Sequence, residues 1–254
     1  MARGDRRISV SALLPNIVTM LGLCAGLTSI RFAFDDQLGI AAVLLIVAAL
    51  IDGFDGMLAR KLNAASPFGA ELDSLSDFVC FGVAPAMVVY TFGLSGLGGF
   101  GWLAALFFAV CCCMRLARFN VMAKEDDPTV SVSFKGVPAP AGAMLGLFPI
   151  FLKQAGMLDL SGAPIVVAIW MLMVGGMMVG SFRTVSSKAL KVSRENVVWV
   201  MLAAALVIGF MLTRLWLFCV LSTVIYLGLL IYGVLRGQGV QAQAGAAPED
   251  DQSA

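Results

Sequence analysis

Histidine is absent from the 254 residues of this chain. Its absence removes the side chain that most often serves as a general base near neutral pH and that most often binds transition metals. A reaction that needs a base would therefore use another group, and a carboxylate is the natural candidate.

Cysteine offers no substitute set of metal ligands. All six cysteines fall inside apolar runs and lack the spacing of metal ligands. Three of them are consecutive, so on a helix they point in different directions. We interpret all six as packing residues of a membrane protein, so a metal site in this chain has to use oxygen ligands. The cysteines are Cys24, Cys80, Cys111, Cys112, Cys113 and Cys219.

Charged residues are also scarce, at 13% of the chain, whereas roughly 25% is usual for soluble domains. Hydrophobic residues make up 60%. Such an apolar excess belongs in lipid, and the bilayer is the expected surroundings. The net charge of +1 lacks the basicity of a nucleic-acid binder, so we expect no nucleic-acid partner.

Apolar segments long enough to cross a bilayer as helices recur along the chain, since a span needs roughly 17 to 25 residues. The sequence predicts an all-α, polytopic transmembrane bundle of about eight spans within residues 1–236. The tail, 237–254, is rich in Gly, Ala, Gln and acidic residues and is predicted to be a disordered cytoplasmic extension. The approximate spans are 12–34, 38–60, 70–93, 98–117, 138–157, 163–182, 196–213 and 215–235.

Two pairs of glycines have the spacing that lets membrane helices approach closely. These are Gly22 with Gly26 and Gly176 with Gly180. We interpret both as packing seams within one subunit, with a dimer contact as the alternative.

Lysine and arginine are distributed unevenly between the two ends of the predicted spans. With the amino terminus in the cytoplasm, 14 of the 17 positive residues fall on the cytoplasmic side, and only Arg31, Lys153 and Arg214 fall outside. Positive residues concentrate in cytoplasmic loops, so an even number of spans with both termini in the cytoplasm is favoured.

Four aspartates lie at the adjoining ends of spans two and three, which would open to the cytoplasm. On a helix, steps of three and four residues share one face, so Asp52 and Asp55 line a stripe on span two. Asp73 and Asp77 line a stripe on span three. A short connection with Ser66 and Pro67, a predicted cap and first-turn proline, makes the two helices antiparallel neighbours whose stripes can face each other.

Four carboxylates in one pocket repel one another unless cations lie among them. An aspartate within a membrane helix also costs roughly 2.5 to 3.5 kcal/mol on insertion scales, so the cluster requires a compensating function. Oxygen ligands favour Mg²⁺, Mn²⁺ or Ca²⁺, and two such ions could clamp a substrate pyrophosphate.

Small residues share these stripes. Gly56, Ala59 and Gly69 leave room for a nucleotide beside the backbone, although simple helix packing is the alternative interpretation. Arg60 could bind phosphate or anchor the span at the membrane interface.

Together these residues resemble the signature of the CDP-alcohol phosphatidyltransferases, D-x-x-D-G-x-x-A-R-x8-G-x-x-x-D-x-x-x-D. All eight fixed positions are matched, by Asp52, Asp55, Gly56, Ala59, Arg60, Gly69, Asp73 and Asp77. The resemblance implies the fold of that family and transfer of a phosphatidyl group from a CDP-linked lipid to an alcohol, with release of CMP. It also implies two divalent ions, Mg²⁺ or Mn²⁺, a homodimer, and residence in a bacterial-type cytoplasmic membrane.

The resemblance further implies individual roles. Asp52, Asp55 and Asp73 would be the principal metal ligands, and Asp77 a metal-adjacent general base for the alcohol. Gly56, Ala59 and Gly69 would border the cytidine nucleotide, with Arg60 beside them.

Motifs outside the array resemble the phosphatidylserine synthase branch of this family and imply L-serine as the acceptor. They are Leu14-Pro15-Asn16-Ile-Val-Thr19, Arg115-Leu-Ala-Arg118-Phe119-Asn120 and Phe134-Lys135-Gly136-Val137-Pro138. Serine carries a carboxylate that needs a cation, which Arg115, Arg118 or Lys135 could supply, although membrane anchoring is their alternative role. Asn16 and Thr19 could contact the nucleotide or bond across helices.

Two alternatives remain open from the sequence. Another acceptor, such as glycerol 3-phosphate or inositol phosphate, would keep the reaction class and would demand a denser arginine cluster. A divalent-cation transporter would also place carboxylates inside the membrane, but it would leave the registered Gly and Ala positions unexplained.

Overall fold

The computed structural model describes residues 10–62, 66–124, 136–180 and 197–244. Within these ranges the regular structure is entirely helical. Ten α-helices occur in chain order: α1 (Val10–Phe34), α2 (Leu38–Lys61), α3 (Pro67–Asp77), α4 (Ala84–Val89), α5 (Gly99–Lys124), α6 (Ala139–Gly146), α7 (Phe148–Gln154), α8 (Pro164–Val179), α9 (Val197–Thr213) and α10 (Leu215–Ala244). Helices α1 to α8 form one compact unit, and α9 and α10 belong to a second.

Five helical stretches of the described residues are long and apolar enough to cross a membrane. They are Leu13–Phe34, Leu38–Leu58, Pro67–Leu97, Gly99–Met122 and Leu215–Gly233. Two shorter apolar helices, Pro164–Val179 and Trp199–Thr213, lie at two more predicted spans. The prediction of a polytopic helical membrane protein is confirmed, and the count of eight spans stays a prediction.

Helix α1 packs along α2 and also contacts α3. A β-carbon placed on Gly22 would lie 3.2 Å from the Ile51 side chain, and one placed on Gly26 would lie 2.8 Å from the Cys80 sulfur. The predicted seam between these glycines is confirmed as a packing contact within the chain, because larger residues would push α1 away from its neighbours.

The third span is one continuous helical rod with changes of winding. After Asp77 it passes through a π-helical segment, Phe78–Val83, before α4 begins. Pro85 in α4 has no N–H to donate to the carbonyl four residues earlier, and local π winding is one way that membrane helices accommodate such a proline. The π segment buries three successive residues, Cys80, Phe81 and Gly82.

The predicted fifth span, 138–157, is broken into α6 and α7 around Leu147. Pro149 follows directly after the break, and it cannot donate a hydrogen bond to the Leu145 carbonyl. The indole Nε1–H of Trp170 in α8 donates to that carbonyl at 2.7 Å instead. The break thus has a polar partner from a neighbouring helix, which lipid could not provide.

The second predicted glycine seam is shifted by one residue. A β-carbon on Gly176 would meet no atom within 4 Å, whereas one on Gly175 would lie 3.1 Å from the Phe107 ring of α5. The close approach of α8 to α5 therefore uses Gly175. The interpretation of Gly176 as a packing seam within one subunit is wrong, and the alternative of a dimer contact stays a prediction. Spacing alone did not indicate which of two adjacent glycines faces the partner helix.

The end of the first unit opposite the aspartates contains a small polar cluster. Lys153 at the end of α7 pairs with Asp159 at 3.2 Å and lies over the Phe92 ring, 5.6 Å from its centroid. The Asp159 carboxylate accepts a hydrogen bond from the Ser161 backbone at 2.9 Å. Hydrogen bonds from Ser161, with a smaller contribution from Lys153, lower the pKa of Asp159.

In the second unit, a single residue, Arg214, separates α9 from α10, as the sequence predicts. The backbone of α10 continues to Ala244, past the predicted end of the ordered domain at 236. Gln and Ala, which are frequent there, extend an existing helix at low cost. Residues 245–254 of the predicted tail lie outside the described residues.

Candidate active site

Three of the four aspartates converge on one point. Asp52 and Asp55 project from the last part of α2 and Asp73 from α3, and each offers an oxygen within 4.8 Å of the other two. Two oxygens that bind the same ion are separated by at most twice the bond length, about 5 Å for Ca²⁺ and about 4.2 Å for Mg²⁺, and 4.8 Å is the upper bound for each pair in this trio. The donor set therefore fits a hard divalent cation.

Asp77 lies beside this trio and faces inward. Its carboxyl lies close enough to Asp52, Asp55 and Asp73 for their charges to act on it. With Asp52 and Asp55 it lines a small cavity whose lining also includes Cys80 and Phe81 from the π segment. All four predicted aspartates are thus brought together, and Asp77 has a different position from Asp73, which does not line the cavity.

The start of α3 is fixed locally, as the sequence predicts. The Ser66 side chain accepts a hydrogen bond from the Gly69 backbone N–H at 3.0 Å, and Pro67 occupies the first turn. This cap sets where α3 begins, and hence which way Asp73 points one turn after Gly69.

The glycines of the signature have different neighbourhoods. A β-carbon on Gly56 would meet nothing within 4 Å, so a ligand could approach the backbone there. One on Gly69 would lie 2.8 Å from the Asn16 side-chain oxygen and 3.1 Å from the Ser66 hydroxyl. Gly69 therefore lets α1 approach α3 and brings Asn16 to the edge of the site.

Thr19 is engaged with an aspartate. It is only 6% exposed, and its hydroxyl donates to Asp55 Oδ2 at 2.7 Å. The sequence left two interpretations of Thr19, a nucleotide contact or a bond across helices. In the structure Thr19 makes the bond across helices.

Two serines of α3 that the sequence interpretation left out also contribute. Ser74 accepts a hydrogen bond at 2.9 Å from the side-chain amide of Asn120, near the end of α5. The buried Ser76 donates to the Thr19 carbonyl at 3.4 Å. The sequence did contain a clue to both serines, because each is a polar residue in a membrane helix and directly adjoins an aspartate of the array.

The two predicted acceptor-binding arginines contact different parts of the protein. Arg115 is half-buried, with its guanidinium carbon 5.8 Å from the Phe119 ring centroid. Arg118 is exposed and donates to the Val179 carbonyl at 3.3 Å, which places it at the end of α8. Lys135 lies outside the described residues, as do the side chains of Ala59 and Arg60.

The position of Arg115 on α5 follows from its neighbour Cys112. Cys112, one turn before Arg115 and on the same side of α5, packs against the third span, where a β-carbon on Gly82 would lie 3.2 Å from its side chain. The arginine is therefore on the side of α5 that faces the third span.

Several known proteins are similar to this chain in amino-acid sequence over long stretches. It is 46% identical over 154 residues to the CDP-diacylglycerol–serine O-phosphatidyltransferase of Mycobacterium tuberculosis, covering 58% of this chain and 52% of that relative, so the chain spans about half of its length. It is 32% identical over 225 residues to the enzyme of the same name from Helicobacter pylori, covering 88% of this chain and 90% of the relative. It is 33% identical over 172 residues to the archaetidylserine synthase of Methanothermobacter thermautotrophicus, covering 67% and 70%.

A family-wide pattern agrees with these individual matches. The pattern for CDP-alcohol phosphatidyltransferases matches residues 12–180. This stretch holds most of α1, all of α2 to α8 and every position of the aspartate signature. With its helical membrane architecture and its converging carboxylates, the chain belongs to the CDP-alcohol phosphatidyltransferase family.

Proposed function

We propose that this protein transfers the phosphatidyl group of CDP-diacylglycerol to L-serine, giving phosphatidylserine and CMP. The observation that carries the proposal is the convergence of three carboxylate oxygens within 4.8 Å at the position of the family signature. Serine is supported by the names of the relatives above, which share serine even where the lipid part of the name differs.

Asp52, Asp55 and Asp73 would hold divalent metal, either Mg²⁺ or Mn²⁺, and we propose two ions, with Asp77 bordering them. When bound, these ions neutralise charge on the pyrophosphate oxygens of the liponucleotide. Gly56 leaves its side of α2 open for the nucleotide, and Asn16 lies against Gly69 of α3. Ala59 and Arg60 complete the nucleotide side in this proposal.

The serine hydroxyl oxygen attacks the β-phosphorus and forms the new P–O bond. The bond between that phosphorus and the oxygen bridging to CMP breaks, and CMP leaves with the electron pair. The hydroxyl proton passes to the Asp77 carboxylate, which lines the cavity beside the trio. Because Asp77 is not one of the three carboxylates that converge within 4.8 Å, it can accept a proton while those three hold the metal.

Arg115 and Arg118 are the cations that we assign to the serine carboxylate, together with Lys135. Arg118 uses one guanidinium nitrogen for the Val179 carbonyl, and a guanidinium has five N–H donors in all. Arg115 comes from the side of α5 that carries Cys112 and packs against the third span. The distribution of positive residues supports a cytoplasmic site with both termini on that side. We also propose a homodimer on the family resemblance.

The acceptor is tested with purified full-length protein, CDP-diacylglycerol, Mn²⁺ or Mg²⁺, and one labelled alcohol at a time. We expect labelled phosphatidylserine with L-serine, and far less product with glycerol 3-phosphate or inositol phosphate. Product with a phosphorylated acceptor alone would reject serine and keep the reaction class.

A further inference from the structure

The inner face of α1 connects the two helices that carry the aspartates. Thr19, Gly22 and Gly26 are spaced by three and four residues, so they share one side of the helix. Gly22 meets Ile51, the neighbour of Asp52 on α2, and Gly26 meets Cys80, in the π segment after Asp77. A β-carbon on Gly26 would lie only 2.8 Å from the Cys80 sulfur, and one on Gly22 would lie 3.2 Å from Ile51, so α1 packs closely against both helices at these glycines.

This packing brings the Thr19 hydroxyl to Asp55. The side chain of Asp55 is only 4% exposed, and its Oδ2 lies 2.7 Å from Thr19 Oγ1. The same hydroxyl lies 3.1 Å from the Pro15 carbonyl. A hydroxyl has one hydrogen, and a charged carboxylate at the shorter distance is the stronger acceptor.

Thr19 also reaches the other aspartate helix through its backbone. The Thr19 carbonyl accepts the long hydrogen bond from Ser76, which directly precedes Asp77. One residue of α1 therefore contacts both halves of the cluster, with its side chain on α2 and its backbone on α3.

We propose that Thr19 is a positioning residue for metal binding: its hydroxyl holds one oxygen of Asp55 so that the carboxylate presents its other oxygen to the ion. This inference rests on the metal site of the proposed function. It gives Thr19 a role distinct from nucleotide contact, because the hydroxyl is buried and already bonded. Groups that orient metal ligands commonly change metal affinity or activity by about 10- to 100-fold when removed.

The test compares Mn²⁺ affinity of the full-length protein, without substrate, by the loss of the free-ion electron paramagnetic resonance signal on titration. Thr19→Val keeps the shape and removes the hydroxyl, and Thr19→Ser keeps the hydroxyl. Thr28→Val is the matched control, since Thr28 is on the same helix and its hydroxyl bonds only to the Cys24 carbonyl of its own helix. Asp55→Asn reports on the metal site itself.

We expect Thr19→Val to weaken Mn²⁺ binding by about tenfold, Thr19→Ser to restore most of the affinity, and Thr28→Val to match the wild type. In turnover, Thr19→Val should need more Mn²⁺ for half-maximal rate while the KM for serine stays unchanged. Unaltered Mn²⁺ affinity in Thr19→Val, or equal weakening in the valine and serine variants, would overturn the positioning role.

Different results would reject the positioning role of Thr19 and the metal site of the proposed function. Weak binding in Asp55→Asn with normal binding in Thr19→Val rejects the positioning role and keeps the metal site. Normal Mn²⁺ binding in Asp55→Asn rejects the metal site and, with it, the role of Thr19. A higher KM for CDP-diacylglycerol in Thr19→Val at unchanged Mn²⁺ affinity would instead identify Thr19 as a substrate contact and reject our inference.

Discussion

The aspartates of the signature differ in their surroundings, although the signature requires the same residue type at all four positions. They are Asp52, Asp55, Asp73 and Asp77. Asp55 is buried and bonded to Thr19, whereas Asp73 is half-buried and does not line the cavity. Asp77 lines the cavity beside Asp52. Ligand roles are assigned to the three acids whose oxygens converge within 4.8 Å, and a proton-transfer role to the fourth, which is not in that trio.

Replacing the proposed metal ligands should remove activity and metal binding together. Asp52→Asn, Asp55→Asn and Asp73→Asn should each lower CMP formation by at least about 100-fold, since even groups that only orient ligands reach this size of effect. Mn²⁺ affinity should fall in the same variants. Asp35→Asn, at the other end of the span pair, serves as control and should keep wild-type activity. Full activity in any of the three would remove that residue from the metal site.

Asp77 should behave differently from those ligands. We expect Asp77→Asn to lose turnover while CDP-diacylglycerol binding is partly retained, because the trio of oxygens around the ion stays in place. Equilibrium binding of the liponucleotide, measured next to the steady-state rate, separates the two effects. An unchanged catalytic rate in Asp77→Asn would defeat its assignment as the base.

Gly56 offers a test of the open space on α2. A methyl group there meets no protein atom, so Gly56→Ala should fold normally and gain slightly in helix propensity. If the nucleotide occupies that space, the KM for CDP-diacylglycerol should rise by about tenfold, equivalent to about 1.4 kcal/mol. Gly53→Ala is the matched control, since Gly53 is equally open but lies off the aspartate stripe. An equal KM in the two variants would place the nucleotide elsewhere.

Prolines shape the helices that support the site. Pro85 follows the π segment after Asp77, and Pro149 follows the break between α6 and α7. Each removes a backbone donor inside lipid, where the freed carbonyl needs a new partner. At Pro149 that partner is visible as the Trp170 indole.

Trp170→Phe tests this compensation. The change keeps an aromatic ring and leaves the Leu145 carbonyl without its donor, which should lower the free energy of unfolding by about 1 to 3 kcal/mol. Trp199→Phe, on an exposed face of α9, is the control and should change stability little. Reversible unfolding in mixed micelles provides the measurement. Equal stability in the two variants would mean that the indole bond contributes nothing beyond the ring.

Across the whole molecule, the sequence predicted what depends on local pattern. Apolar length predicted the membrane helices, and spacings of three and four predicted that Asp52, Asp55 and Asp73 could meet. The Ser66 cap of α3 was also predictable, because it involves residues that are close together in the chain. The Thr19 bond to Asp55 and the choice of Gly175 over Gly176 depend on which neighbour each face meets. The same is true of the Trp170 donor that satisfies the carbonyl freed by Pro149. That information is tertiary and is absent from a single helix's periodicity.

The transporter alternative makes a prediction about the intact protein in a sealed membrane. Carboxylates that conduct ions would let Mn²⁺ accumulate in proteoliposomes without any CDP-lipid. A transferase site closed by packed side chains such as Phe81 should give no uptake above that of empty vesicles. Mn²⁺ accumulation at the rate of a transporter, with no CMP formed, would favour the alternative.

The central claim is that the aspartate cluster catalyses metal-dependent phosphatidyl transfer to serine. Its most direct measurement follows CMP and phosphatidylserine together by ³¹P nuclear magnetic resonance, with purified protein, CDP-diacylglycerol, L-serine and Mn²⁺. We expect equal amounts of the two products, loss of both when Mn²⁺ is chelated, and recovery when it is added back. Equal product formation with and without a divalent ion, or in Asp73→Asn, would contradict it.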